Sequence, residues 1–226
     1  MKRVWLLAAM LTLLFGDEMK VCESEQDKIL GCVEKKYHDN GNLWIETPYR
    51  SGKKNGLERG YYSNGMLWGE HFFVNGKREG VGTEYDKNGN LRIITPYRND
   101  KAEGVGKTYY ENGSLESVMS FKNDREEGLR KIYTEDGKLV VEVPYKNNKP
   151  NGIARIYGGG GGLTMEIPYK NGRRDGVMKY YNGESVYFSV IYQNDEIVSG
   201  KCANGKILTL TILNNLESNK AMPSCD

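Results

Sequence analysis

The sequence predicts an all-β protein: a solenoid-like, elongated antiparallel sheet of stacked β-hairpins. Three observations carry that reading. Tyrosines recur every 24 residues, at Tyr37, Tyr61, Tyr85, Tyr109, Tyr133, Tyr157 and Tyr181, and glycines keep the same interval at Gly56, Gly80, Gly104, Gly128, Gly152, Gly176 and Gly200. A fixed interval over seven copies marks a repeat architecture in which each unit packs on its neighbours. Within most intervals an Asn-Gly or Asp-Gly dipeptide separates two short runs of β-branched and aromatic residues, as in a hairpin. Finally, sixteen tyrosines and 28 glycines, with 38% hydrophobic residues, suit turns and thin layers better than a thick globular core.

Taken in order, the chain opens with Lys2 and Arg3 and a short apolar run from Val4 to Phe15. This reads as a secretory signal peptide over 1–16, too short for a comfortable membrane span. Without Lys2 and Arg3, 30 basic residues face 30 acidic ones, and the exported part is neutral. Residues 17–32 are polar, carry no repeat and are expected to form an N-terminal cap. The array of about seven hairpins then runs over 33–200, and 201–226 are expected to supply a capping strand, alternating from Ile207 to Leu213, and a tail.

Export makes the four cysteines disulfide candidates. Four cysteines allow three pairings. About fourteen strands at roughly 4.8 Å each put the array's ends about 60 Å apart, whereas a disulfide needs Cα atoms within about 7 Å. The expected pairs are therefore Cys22–Cys32 and Cys202–Cys225, one at each end.

Each unit reads as two strands. The first follows the closing glycine, as in Val105 to Tyr109; the second follows the turn glycine, as in Leu139 to Tyr145. The turns are Asp39-Asn40-Gly41, Ser63-Asn64-Gly65, Lys87-Asn88-Gly89, Glu111-Asn112-Gly113 and Glu135-Asp136-Gly137, with an all-glycine sixth turn from Gly158 to Gly162. Two registers compete. A three-residue loop with Gly65 left-handed gathers Leu57, Tyr61, Leu67 and Phe73 on one buried face, and is preferred for that reason. A two-residue loop instead sets Arg59 opposite Glu70, Lys131 opposite Glu142 and Arg155 opposite Glu166; the two differ by one residue, which exchanges the faces. Pro48, Pro96, Pro144 and Pro168 share one position of the unit. Because proline cannot donate to a ladder, the second strand is expected to end there.

The search for chemistry yields little. The two histidines, His38 and His71, fall at different positions of the repeat, which argues against a shared metal or base. Glu46, Glu70, Glu142 and Glu166 form a row with members about 10 Å apart, too far for a glycosidase pair and suited to salt bridging. No nucleophile–base arrangement, metal site or cofactor site is expected. The return turns are richer. Lys53, Lys77, Lys101, Arg125, Lys149 and Arg173 occupy one position, and Arg50, Arg98, Lys122, Lys146 and Lys170 another, broken by Val74. With Lys54, Arg78 and Arg174 these give fourteen cations against seven acids in six turns, a basic rim suited to an acidic partner or an anionic surface. Trp44 and Trp68 occupy equivalent positions and, with Phe72, are expected to form an exposed aromatic patch. A neutral exported chain is not expected to bind nucleic acid.

The unit resembles the MORN repeat in its bacterial variant form. The resemblance rests on Tyr62-Ser-Asn-Gly-Met-Leu67, on Glu166-Ile-Pro-Tyr-Lys-Asn-Gly-Arg-Arg-Asp-Gly176 and on Glu142-Val-Pro-Tyr-Lys-Asn-Asn-Lys-Pro-Asn-Gly152, and covers roughly 33–200. It implies stacked hairpins in one long twisted sheet, brings no catalytic residues, and carries the YwqK-type antitoxin-like label. Together these readings predict an exported, periplasmic or secreted, non-enzymatic scaffold whose partner is another protein. The alternatives are an envelope-surface binder whose rim meets anionic lipid or polysaccharide, and an antitoxin-like or immunity protein. The oligomeric state is left open.

Overall fold

The computed structural model describes residues 19–218 and 222–225; the expected signal peptide lies outside them. Seven antiparallel hairpins form a single open sheet. Their strands are Cys32–Tyr37 with Leu43–Arg50, Gly56–Tyr61 with Leu67–Val74, Gly80–Tyr85 with Leu91–Arg98, Gly104–Tyr109 with Leu115–Lys122, Gly128–Tyr133 with Leu139–Lys146, Gly152–Tyr157 with Leu163–Lys170, and Gly176–Asn182 with Ser185–Gln193. A last strand, Glu196–Cys202, completes the sheet, and each hairpin pairs with the next.

The two competing registers turn out to be parts of one hairpin. In the second hairpin the loop is Ser63-Asn64-Gly65, closed by Tyr62 N–H donating to the Met66 carbonyl at 2.8 Å, with Gly65 at φ 85°. A β-bulge between Gly60 and Tyr61 then shifts the pairing by one residue, so that Arg59 faces Glu70. The extra residue absorbs the difference between the loop and the ladder. The same bulge sets Lys131 opposite Glu142 and Arg155 opposite Glu166.

This register corrects the expected buried layer. Leu57 pairs with Phe72 on one face, while Phe73 pairs with Gly56 on the other. The second face is aromatic. Each closing glycine from Gly56 to Gly176, and Cys32 in the first hairpin, stands opposite a ring: Cys32–Tyr49, Gly56–Phe73, Gly80–Tyr97, Gly104–Phe121, Gly128–Tyr145, Gly152–Tyr169 and Gly176–Tyr192; Gly200 pairs with Val190 instead. Rings lie over backbone that has no side chain to cover it; a Cβ on Gly60 would meet the Trp68 indole at 2.2 Å. Cations close this layer from above. Lys54, Arg78, Arg130 and Arg174 sit 4.1–4.9 Å from the ring centroids of Phe73, Tyr97, Tyr145 and Tyr192, each contact contributing about 0.5–1 kcal/mol. The buried side chains Phe73, Ala102, Ser117, Glu126, Ala154 and Met178 all belong to this face.

The second strand does not stop at proline; it runs two residues further, to Arg50 in the first hairpin. Val33 turns its backbone outward, to Lys20 and Cys22. Its partner Pro48 therefore turns toward the following hairpin, where only its carbonyl is used, accepting from Asn55 N–H at 2.8 Å. The missing donor falls where the ladder needs none, and Pro96, Pro144 and Pro168 repeat the arrangement with Glu103, Asn151 and Asp175.

Both ends are capped. Helix α1, Glu25–Leu30, starts at a capping box between Ser24 and Asp27. Its Lys28 and Ile29 carbonyls accept from Gly52 and Ser51 N–H, and Lys28 lies over the Tyr49 ring at 4.9 Å. It thus supplies the carbonyl and the cation that a preceding repeat would have supplied. Asp27 is held at about 2 by the Ser24 hydroxyl first, then by backbone N–H and Lys20. Because this pKa is depressed, the cap's contribution is complete above about pH 3.8 and is lost as pH falls through about 2. Amide exchange at Ser24 and Asp27 is expected to accelerate over that range before the central hairpins respond.

At the far end, the expected capping strand is a helix, α2, Leu210–Glu217. Thr209 accepts from Ile212 N–H as its N-cap, which breaks the Leu-Thr-Leu-Thr alternation into a helical start. Leu208, Leu213 and Leu216 are buried, and Leu210 is exposed. They cover Met178, Phe188, Val190, Tyr192 and Cys202, the one substantial hydrophobic cluster among the described residues. Tyr192 reaches its place opposite Gly176 because the seventh loop is shortened, with Asn182 pairing directly to Ser185.

Candidate functional site

The return turns have positive φ at both central residues, as in Asn99 (52°) and Asp100 (70°), which gives tight two-residue turns. They stack into a ladder. Asp100, Asp124, Asn148 and Asp195 N–H groups donate to carbonyls of the preceding turn, and their side-chain oxygens accept from Arg78, Ala102, Glu126 and Arg174 N–H at 2.6–2.8 Å. Glu79, Glu103 and Glu127 accept from Asn99, Asn123 and Asn147 N–H in the same way. Backbone donation by Arg174 is the main reason that the Asp195 carboxyl lies below its ordinary range. Five of the seven turn acids, Glu79, Asp100, Glu103, Asp124 and Glu127, are thus committed to holding the turns together, and Glu126 pairs with Arg130.

The rim's cations are not so committed. Lys53, Lys77, Lys101, Arg125, Lys149 and Arg173 stand directly opposite Arg50, Val74, Arg98, Lys122, Lys146 and Lys170, and all twelve residues are exposed. Five consecutive-or-nearly-consecutive turns therefore place two cations side by side, an arrangement unfavourable to the sheet itself. Among the described residues the ion pairs engage none of these eleven cations; Arg125 donates to Asn147 Oδ1 at 2.9 Å. The sequence counted Lys54, Arg78 and Arg174 with them. These three point to the aromatic face instead, where Lys54 meets Glu58, and Arg78 and Arg174 meet Asp100 and Asp195. Between successive turns lie open grooves, one of about 430 Å³ bounded by Lys101, Lys122 and Arg125, and one of about 750 Å³ bounded by Lys149, Lys170 and Arg173.

Beside the cations, on the same face, runs an apolar row that the sequence reading missed. From Gly56 to Gly176 it consists of the residue after the closing glycine and its cross-strand partner: Leu57 with Phe72, Val81 with Pro96, Val105 with Ser120, Leu129 with Pro144, Ile153 with Pro168 and Val177 with Ile191, the Ser120 hydroxyl being its one polar interruption. Exposure is 56% at Val81, 50% at Val105, 45% at Ile153 and 47% at Val177, high for aliphatic side chains in regular strands. The signal was present in the period-two alternation of apolar and charged residues, but it can be placed only once the bulge is known.

Further in, the same face carries a lattice of ion pairs. Arg59 bridges Glu46 (3.3 Å) and Glu70 (2.8 Å); Lys131 meets Glu142 (3.1 Å), and Glu166 meets Arg155 (3.4 Å) and Lys179 (3.5 Å). Tyr61, Tyr157 and Tyr181 donate to the Glu46, Glu142 and Glu166 carboxylates of the preceding hairpin at 2.8–3.0 Å. Burial first, and then the Glu46 contact, pushes the Tyr61 hydroxyl up to about 12. The glutamate row therefore fastens neighbouring repeats.

The remaining candidates separate. Phe72 is exposed on the aliphatic face, Trp68 lies over Gly60 on the aromatic face, and Trp44 is exposed with its ring 6.2 Å from His38. They do not make one patch, because the bulge turns the tryptophan position to the other side. His38 contacts the Tyr61 carbonyl at 2.9 Å; His71, half-buried, packs on Tyr97 and its imidazole is driven below the usual range by burial first and Arg78 second. Disulfides join Cys22 to Cys32 (Cα–Cα 5.2 Å) and Cys202 to Cys225 (5.5 Å), each tying a cap to the sheet. Among the described residues no group of His, Cys, Asp and Glu could hold a metal, and no helix is long and apolar enough to cross a membrane.

The model of the MORN repeat variant family matches residues 33–51, 54–75, 78–99, 102–123 and 126–147. A search of curated proteins finds no match. The sixth and seventh hairpins continue the same pairing beyond the matched segments. Because the five matched repeats coincide one for one with the first five hairpins of the sheet, the chain belongs to the MORN repeat variant family.

Proposed function

We propose that the protein is an exported, non-enzymatic scaffold that binds another protein along its aliphatic face. The single observation that carries this reading is the exposed apolar row running beside eleven cations that no ion pair among the described residues engages. Stability does not require such a surface: the aromatic face already buries what can be buried, and apolar side chains in regular strands normally find a cover. The repeat extends it to a length that suits an extended partner. Export is supported by the basic and apolar start of the chain and by the two disulfides, which persist in oxidising compartments.

A photo-crosslinking residue at Ile153 tests the reading directly. In intact cells it is expected to form a protein adduct in the envelope or secreted fraction, while the same residue at Lys87, exposed at the opposite edge, forms none. Equal adducts at both positions, or none at Ile153, would remove the face from consideration. Adducts to lipid alone would assign the surface to the envelope instead.

A further inference from the structure

From the spacing of its rows, we infer that the aliphatic face takes an acidic amphipathic helix of a partner protein, lying along the array with one aliphatic and one carboxylate residue on each repeat. This names the partner chemistry of the face proposed above and rests on that proposal.

Period is the first argument. One repeat advances the sheet by two strands, about 9.6 Å. Seven residues of α-helix advance about 10.5 Å. A helix with an aliphatic stripe and an adjacent acidic stripe, each recurring every seven residues, therefore stays nearly in step with the sheet. The mismatch is about 1 Å per repeat, within the reach of lysine and arginine side chains over four or five repeats.

Charge is the second. The carboxylates of Glu79, Asp100, Glu103, Asp124, Glu127 and Asp195 are spent on backbone N–H groups of neighbouring turns. The rim's paired cations, such as Lys146 opposite Lys149 and Lys170 opposite Arg173, have like charge as their nearest partner across the strand. A carboxylate placed over each pair relieves that repulsion. On its inner side the apolar row is bordered by ion pairs, Arg59 with Glu70, Lys131 with Glu142 and Arg155 with Glu166, so the cations left for a partner's carboxylates are those of the rim.

The test uses the mature disulfide-bonded chain and synthetic probes. The main probe is a 35-residue helical peptide, five heptads and about 52 Å long, with a leucine stripe and one flanking glutamate stripe. Its companions are a scrambled peptide of the same composition, poly-L-glutamate, and phosphatidylglycerol vesicles. The helix is expected to bind saturably, and at least 10-fold more tightly than the scrambled peptide or poly-L-glutamate. Lys146→Glu with Lys149→Glu, and separately Leu129→Asp with Ile153→Asp, are expected to weaken it at least 10-fold, and Lys87→Glu to leave it unchanged. The charge variant changes only exposed residues flanking a turn, so it decides the matter even if the aliphatic variant folds poorly. Equal binding of the scrambled peptide or poly-L-glutamate would overturn the inference, as would vesicle binding without helix binding, or no helix binding at all. A protein adduct at Ile153 combined with no helix binding would overturn the helix and leave the scaffold reading intact.

Discussion

Phe188→Ala is expected to destabilise the C-terminal cap by about 3–5 kcal/mol, the range for emptying a fully enclosed phenylalanine site. Phe188 is completely buried, stacked on Tyr180 with centroids 4.2 Å apart and set edge-on to Tyr187. It lies where the last hairpin, the final strand and α2 converge, and its neighbours in the cluster cannot close in, because Cys202 is tied to Cys225. In a repeat array, stability is a sum of units and nearest-neighbour contacts, so the loss should be local. Hydrogen exchange is expected to show the seventh hairpin and the last strand opening first, with the second and third hairpins close to their original protection. Uniform loss of protection over all seven hairpins would mean that the array melts as one cooperative body.

Gly152→Val is expected to cost about 3 kcal/mol and to weaken the junction between the fifth and sixth hairpins. Two effects add. Gly152 sits at φ +122°, a conformation that a β-branched residue adopts only under strain. A Cβ there would also stand 2.8 Å from Pro144 Cγ and 3.3 Å from its Cβ, atoms of a rigid ring in a packed strand. Urea unfolding of Gly152→Val, Pro144→Ala and the double variant separates the two contributions. The double variant is expected to be about 1 kcal/mol more stable than the sum of the single changes, since removing Cγ relieves the closer contact. Strict additivity would show that backbone strain is the whole cost.

The period was legible because the glycines and aromatics that fix it are structural: each closing glycine from Gly56 to Gly176 faces a ring, and neither can move without the other. The cysteine pairs at the two ends were legible as well. What the residues alone did not reveal was the frame within each hairpin. The loop chemistry of Ser63-Asn64-Gly65 and the charge pairing of Arg59 with Glu70 each argued correctly for a different register, and a bulge satisfied both. Choosing one frame placed Leu57 and Phe73 together and hid the exposed apolar row. Proline misled for a related reason, since its missing donor matters only on the side of a strand where a donor is used. At the C-terminus, Leu-Thr-Leu-Thr fits a strand and a capped helix equally well; burial of Leu208, Leu213 and Leu216 over the last hairpin decides for the helix.

The most direct test of the account is the assignment of faces, because the binding surface follows from it. Methyl NMR with a soluble nitroxide as relaxation agent measures it in one experiment. Strong broadening is predicted for the methyls of Val81, Val105, Leu129, Ile153 and Val177, with Ala154, Met178 and Val190 protected. Protection of the first group together with exposure of Ala154 and Met178 would reverse the faces and, with them, the proposed site.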